Sequence, residues 1–152
     1  LGKRIYKMQR KKNVLIIASN YYKKIYDNLI TESMEELELN NISYNTETVT
    51  GVFEIPSIIT FAKNKFDGYI ALGCVIRGET THYDYVCEES ARALMQLSLE
   101  GLALGYGILT CENYQQALIR SKSNDQMIGK GRVASKACIN QIRLRLKYTY
   151  ES

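Results

Sequence analysis

Gly68-Tyr69-Ile70-Ala71-Leu72-Gly73-Cys74-Val75-Ile76 is an uncharged run bounded by Asp67 and Arg77, and its reading decides the fold. A strand with one wet face alternates apolar and polar side chains; this one stays apolar, as a parallel strand covered on both faces requires. A polar loop over residues 77–81 follows. Residues 83–102 then place Leu94, Leu97 and neighbouring alanines on one helical face. A central strand feeding a long helix through a polar loop is half of a βαβ unit.

On the N-terminal side, Val14-Leu15-Ile16-Ile17-Ala18 is a second buried strand. Ile25, Leu29, Ile30, Met34 and Leu37 recur at helical spacing, with Glu35, Glu36 and Glu38 assigned to the remaining, solvated face. Residues 42–50 alternate as a strand, Gly51 punctuates it, and Pro56 stands in the first turn of a helix expected to reach about Lys65. On the C-terminal side, Tyr106-Gly107-Ile108-Leu109-Thr110 is the fourth strand, followed by helices over 114–121 and 130–148 with a polar loop over 122–129 between them. Strands alternating with helices imply right-handed crossovers, and the fold expected is a flavodoxin-like α/β three-layer sandwich on a four-stranded parallel sheet.

Length and charge narrow the function. The chain has 152 residues, 45% of them hydrophobic and one a proline, enough for one core, so a single domain over 13–152 is expected behind a basic arm, 1–12. That arm holds Lys3, Arg4, Lys7, Arg10, Lys11 and Lys12, which leaves 14 of the 20 basic groups against 16 acidic ones and a nearly neutral body. The net charge of +4 therefore argues for a solvated tail and no nucleic-acid partner. The arm lacks the apolar segment of a secretory signal, and no apolar run nears the roughly 18 residues that cross a bilayer, so no membrane association is expected. Cys74, Cys87, Cys111 and Cys138 are widely spaced and His82 is the single histidine, which speaks against a metal site and for reduced, mostly buried thiols in a cytoplasmic protein.

Ligands of such sheets bind beyond the carboxyl ends of the strands, and the chemistry-bearing residues cluster there. The loop Arg77-Gly78-Glu79-Thr80-Thr81 reaches a helix start, where free N–H groups and the helix dipole suit an anion; the plainer reading is a helix capped by Thr80 or Thr81. His82 stands beside it, either as a structural histidine or as a proton-transfer group. Glu54 reads as a carboxylate complementing a helix dipole or as an acceptor for polyol hydroxyls. Tyr21, Tyr22 and Tyr106 fall at strand edges, where a ring packs or stacks on a flat heterocycle. Arg120, on spacing alone, reads as a surface charge.

Gly51-Val52-Phe53-Glu54-Ile55-Pro56, the run from Ala71 to Val86, Gly107-Ile108-Leu109-Thr110 with Gln116-Ala117 and Arg120, and Lys130-Gly131 together resemble the successive signatures of the lumazine synthases, over nearly the whole chain. The resemblance implies an enzyme that joins 5-amino-6-(D-ribitylamino)uracil to 3,4-dihydroxy-2-butanone 4-phosphate with release of phosphate and water, without metal or cofactor. It implies that Gly78, Glu79 and Thr80 cradle the butanone phosphate, that Arg120 pairs with it, and that His82 transfers protons. Tyr21 and Tyr106 take the aromatic positions, Val52, Phe53 and Glu54 the ribityl contacts, Val75 and Ile76 the uracil edge, and Lys130 the lysine facing the pyrimidine. It also implies a homo-pentamer with sites shared between adjacent subunits.

Three departures accompany the resemblance. Asn20-Tyr21-Tyr22 replaces the family's Arg-Phe-Asn or similar triplet, which keeps the stacking ring but puts Tyr22 in place of a polar contact, and Val133 stands where relatives usually carry an acid near the histidine. Residues 121–129 form a longer loop than in shell-forming relatives, and with Met127 and Ile128 it is expected to block close contact between pentamers, leaving discrete pentamers, with a pair of pentamers as the second expectation. The alternatives are a paralogue that binds ribityl-pyrimidines or flavins with weakened catalysis, an electron-transfer flavoprotein, and a nucleic-acid binder using the arm.

Overall fold

A computed structural model describes residues 10–150; most of the basic arm, residues 1–9, lies outside the described residues. In chain order the elements are β1 (Asn13–Ser19), α1 (Lys23–Leu39), β2 (Ser43–Val49), a 3-10 turn (Val52–Glu54), α2 (Ile55–Phe61), β3 (Gly68–Ile76), α3 (His82–Leu99), β4 (Leu104–Cys111), α4 (Tyr114–Arg120) and α5 (Lys130–Tyr150). All strand pairs are parallel, and the order across the sheet is β2-β1-β3-β4. The two continuously apolar strands are therefore central, and β2 and β4 are edges.

The sheet carries a core on each face because side chains of a strand alternate in direction. Val14, Ile16 and Ala18 of β1 with Ile70 and Leu72 of β3 pack against Leu29 and Leu37 of α1 and Cys138 and Ile142 of α5. Leu15 and Ile17 with Tyr69 and Ala71 face the opposite way, against Ile55 and Ile59 of α2 and Val86, Leu94 and Leu97 of α3. This is the three-layer α/β arrangement expected, with helices on both faces of a parallel sheet.

Two helices end sooner than expected. The one after Pro56 stops at Phe61, because the Tyr69 hydroxyl donates to the Ala62 carbonyl at 2.8 Å and Asn64 turns the chain in the left-handed region, φ 68°. Helix α3 stops at Leu99, with Gly101 two residues on at φ 97°, the left-handed position that closes many helices. A third difference concerns charge. Glu36, assigned to the solvated face of α1, is buried, as is Glu32, since Arg132 of α5 brings a guanidinium to both. Among the described residues no helix is long and apolar enough to cross a membrane.

Candidate active site

The carboxyl ends of β1 and β3 and the chain after β2 enclose a cavity of about 570 Å3. Its β1 side begins where the strand stops: Ser19 Oγ donates to the Thr50 carbonyl at 2.8 Å and the Asn20 N–H to the Val49 carbonyl at 3.0 Å, tying the ends of β1 and β2 together. Tyr21 then projects, 68% exposed, edge-on to Tyr22 with centroids 4.9 Å apart. Tyr22 in turn meets Tyr114 at 6.1 Å, so the exposed Tyr21 ring rests on a packed aromatic support. Burial, with Cys74 and Tyr21 adding to it, raises the Tyr22 phenol above its usual value, and burial pushes the Cys74 thiol up to about 12. The wall is thus uncharged near neutral pH.

The 3-10 turn forms the adjoining wall. Val52 is buried against β3, where Gly73 has no side chain; a Cβ there would collide with Val52 Cγ1 and press on Ser19. Phe53 is 60% exposed, and Glu54 folds back so that its carboxylate accepts the Gly51 N–H at 3.1 Å. That is the helix-start role in its plainer reading, and one carboxylate oxygen of Glu54 serves it.

On the β3 side, half-buried Val75 and Ile76 lead into the polar loop, and His82 opens α3 with its side chain on the cavity. Thr81 makes no side-chain cap; instead Thr80 Oγ1 accepts the His82 N–H at 3.3 Å. Gly78, Glu79 and Thr80 are exposed and line neither this cavity nor the one described next, so the structure does not bring this polar loop into either. Arg77 fixes that loop. Its Nε donates to Glu112 at 2.8 Å, its Nη1 reaches Asp84 at 3.3 Å, and its guanidinium lies 4.4 Å above the Tyr83 ring. Hydrogen bonding to Glu112 raises the Arg77 pKa further. Among the described residues no hydrogen bond reaches the His82 ring.

Tyr106, Arg120 and Lys130 gather elsewhere. They line a second cavity of about 310 Å3 against edge strand β4, with Met127 and Ile128 of the long loop, and it shares no residue with the first. Lys130 Nζ lies 5.8 Å from the centroid of the Tyr106 ring, whose phenol is raised by burial. Arg120 donates to the Gln116 carbonyl at 3.2 Å, its one hydrogen bond among the described residues. The chain therefore brings Tyr21, Val52, Phe53, Glu54, Val75, Ile76 and His82 together and sets Tyr106, Arg120 and Lys130 apart. Val133, 41% exposed, lines neither cavity.

Three residues escaped the sequence reading. Tyr85 and Val86 line the first cavity, and their spacing of three and four from His82 on a helix was the available signal. Ser19 had no such signal, because its role depends on Thr50 across the sheet. Among the described residues no three acidic, cysteine or histidine side chains are placed to hold a metal ion.

The family described as 6,7-dimethyl-8-ribityllumazine synthase matches residues 11–145. The chain is similar to the 6,7-dimethyl-8-ribityllumazine synthase of Bartonella tribocorum, 45% identical over 145 residues, which cover 93% of this chain and 95% of the relative. The enzyme of the same name from Zymomonas mobilis is 43% identical over 135 residues, 88% of this chain and 96% of the relative. That of Sphingopyxis alaskensis is 41% identical over 138 residues, covering 90% and 96%.

Proposed function

Because the chain belongs to the 6,7-dimethyl-8-ribityllumazine synthase family, we propose that it condenses 5-amino-6-(D-ribitylamino)uracil with 3,4-dihydroxy-2-butanone 4-phosphate to the lumazine, the penultimate step of riboflavin biosynthesis. The observation that carries the assignment of residues is the first cavity, where an exposed aromatic ring, an uncharged wall and one histidine converge. Tyr21 stacks on the pyrimidine, Val75 and Ile76 meet its edge, and Val52, Phe53 and Glu54 receive the ribityl chain. The 5-amino group attacks the butanone carbonyl and a water leaves; phosphate is then eliminated, and the ribitylamino nitrogen attacks the remaining carbonyl, which leaves as a second water when the ring closes. His82 moves protons in these steps, since an imidazole can donate from one ring nitrogen and accept on the other.

The phosphate is held by the backbone of Gly78, Glu79 and Thr80 and by Arg120, whose planar fork matches its oxygens. Since Arg120, Tyr106 and Lys130 line a separate cavity, they reach the pyrimidine and phosphate from a neighbouring subunit of a pentamer. Exposed Tyr85, Met95 and Leu99 on α3 support such an assembly, because an isolated chain would leave them in water. The long loop over 121–129 favours discrete pentamers of a single-domain chain, in the cytoplasm.

The test is formation of the fluorescent lumazine from the two purified substrates, with the mass of the particle measured by light scattering. Product from a pentamer is expected. Binding of the ribityl-pyrimidine without turnover would instead establish the weakened paralogue, a reading that Val133 and the unsupported His82 ring favour. A fully active monomer would remove the shared site.

A further inference from the structure

One stripe of α1, spaced by four residues, grips the segment that joins the two cationic residues of the second cavity. Asn28 Nδ2 donates to Ser121 Oγ at 2.9 Å. Glu32, 6% exposed, accepts the Ser123 N–H at 2.7 Å and also the Ser123 hydroxyl. Ser123 Oγ in turn accepts the Gly129 N–H at 2.8 Å, which closes the loop on itself across six residues. Gly129 has to be glycine, because a Cβ there would collide with Glu32 Oε2 and the Ser123 nitrogen. Arg132 donates from Nε to Glu32 at 3.4 Å, from Nη1 to Glu36 at 3.1 Å and from Nη2 to Glu35 at 2.7 Å.

The loop thus wraps a buried carboxylate that belongs to neither cavity. Arg120 is the last residue of α4 before the loop, and Lys130 the first of α5 after it. Met127 and Ile128, between them, line the second cavity. The loop runs over residues 121–129 with little regular structure of its own, and Glu32 supplies acceptors for donors at its beginning and, through Ser123, at its end.

We propose that Glu32 is a positioning residue for the reaction: by holding Ser123 at the start of the loop it holds Arg120, and so the fit of the phosphate substrate, without touching either substrate. This rests on the assignment of Arg120 to the butanone phosphate. Removing the carboxylate's charge frees Arg132 Nε and weakens the acceptor of both Ser123 donors, so the loop, and Arg120 with it, samples other positions. Affinity for the phosphate substrate falls while proton transfer at His82, in the other cavity, is untouched.

The experiment compares Glu32→Gln, Ser123→Ala, Arg120→Ala and the double variant Glu32→Gln/Arg120→Ala in the full chain, by steady-state kinetics with each substrate varied. Expected for Glu32→Gln is a KM for the butanone phosphate raised about tenfold, with kcat and the KM for the ribityl-pyrimidine within about twofold of the parent. Ser123→Ala should move the same KM in the same direction by less, and it stands as the test if Glu32→Gln does not fold. The double variant should show the KM of Arg120→Ala alone, since a residue acting through Arg120 has nothing left to position. Equal losses in kcat, or multiplying effects in the double variant, would reduce Glu32 to a structural residue and overturn the proposal. An Arg120→Ala enzyme with unchanged KM would overturn the phosphate assignment beneath it, a distinct outcome.

Discussion

His82 and Cys138 illustrate what one side chain contributes at each end of its burial range. His82 is exposed at the start of α3, and as the proton-transfer group it should contribute roughly 10²-fold to kcat, so His82→Ala should slow turnover by that factor and leave binding of the ribityl-pyrimidine nearly intact. Single-turnover rates beside equilibrium titration check it, and full activity would remove the assignment. Cys138 is fully buried between α5 and the sheet, and burial pushes its thiol up to about 12. A group raised in the folded state stabilises the fold fully below its unfolded pKa of about 8.5 and loses that contribution as pH climbs through its folded value. Stability should therefore fall from about pH 9 upward, and the Tm of Cys138→Ser should fall less steeply than the parent's between pH 9 and 11. At this scale the sequence was legible where a residue type is rare or a motif contiguous, as with His82 or Glu54. It was silent where a side chain's place depends on a partner far along the chain, as with Glu32 and Ser123, 91 positions apart.

Strands β1 and β3 were legible almost to the residue because a parallel strand buried on both faces must be apolar throughout, and few other structures ask for that. Helix ends were less so. The end of α2 depends on the Tyr69 hydroxyl, which arrives from β3 and leaves no mark within the helix's own residues. The junction of β3 with the 3-10 turn gives an element-scale prediction. Gly73→Ala puts a methyl where Val52 packs, so either the turn lifts or the strand shifts, and overpacking of this kind costs about 1–3 kcal/mol. Thermal unfolding should show the loss, and because Val52 and Phe53 move with the turn, the KM for the ribityl-pyrimidine should rise while that for the phosphate substrate holds. A variant unchanged in both would mean that the turn adapts without disturbing the cavity.

For the whole molecule, the decisive feature is that the sheet order puts the two cavities on different borders: one above central β1 and β3, the other against edge strand β4. Periodicity revealed four strands and marked β3 as central, but it could not show that Arg120 and His82 would line separate cavities. In a closed ring of proposed pentamers, chains carrying His82→Ala and chains carrying Arg120→Ala, co-expressed in equal amounts, should regenerate about a quarter of the intact interfaces. Assayed with the butanone phosphate far below the KM of Arg120→Ala, where each variant alone is slow, activity near that fraction is the expected outcome for the mixed particles, and no recovery would place both residues in one chain's site. The proposed ring sets a rule of gene dosage. A lesion in one cavity subtracts activity in proportion to its share of the chains, whereas a chain damaged in both spoils the interface on either side of it, so activity falls as the square of the sound share. A doubly altered allele would be a poison to its wild-type counterpart, and a singly altered one merely a diluent.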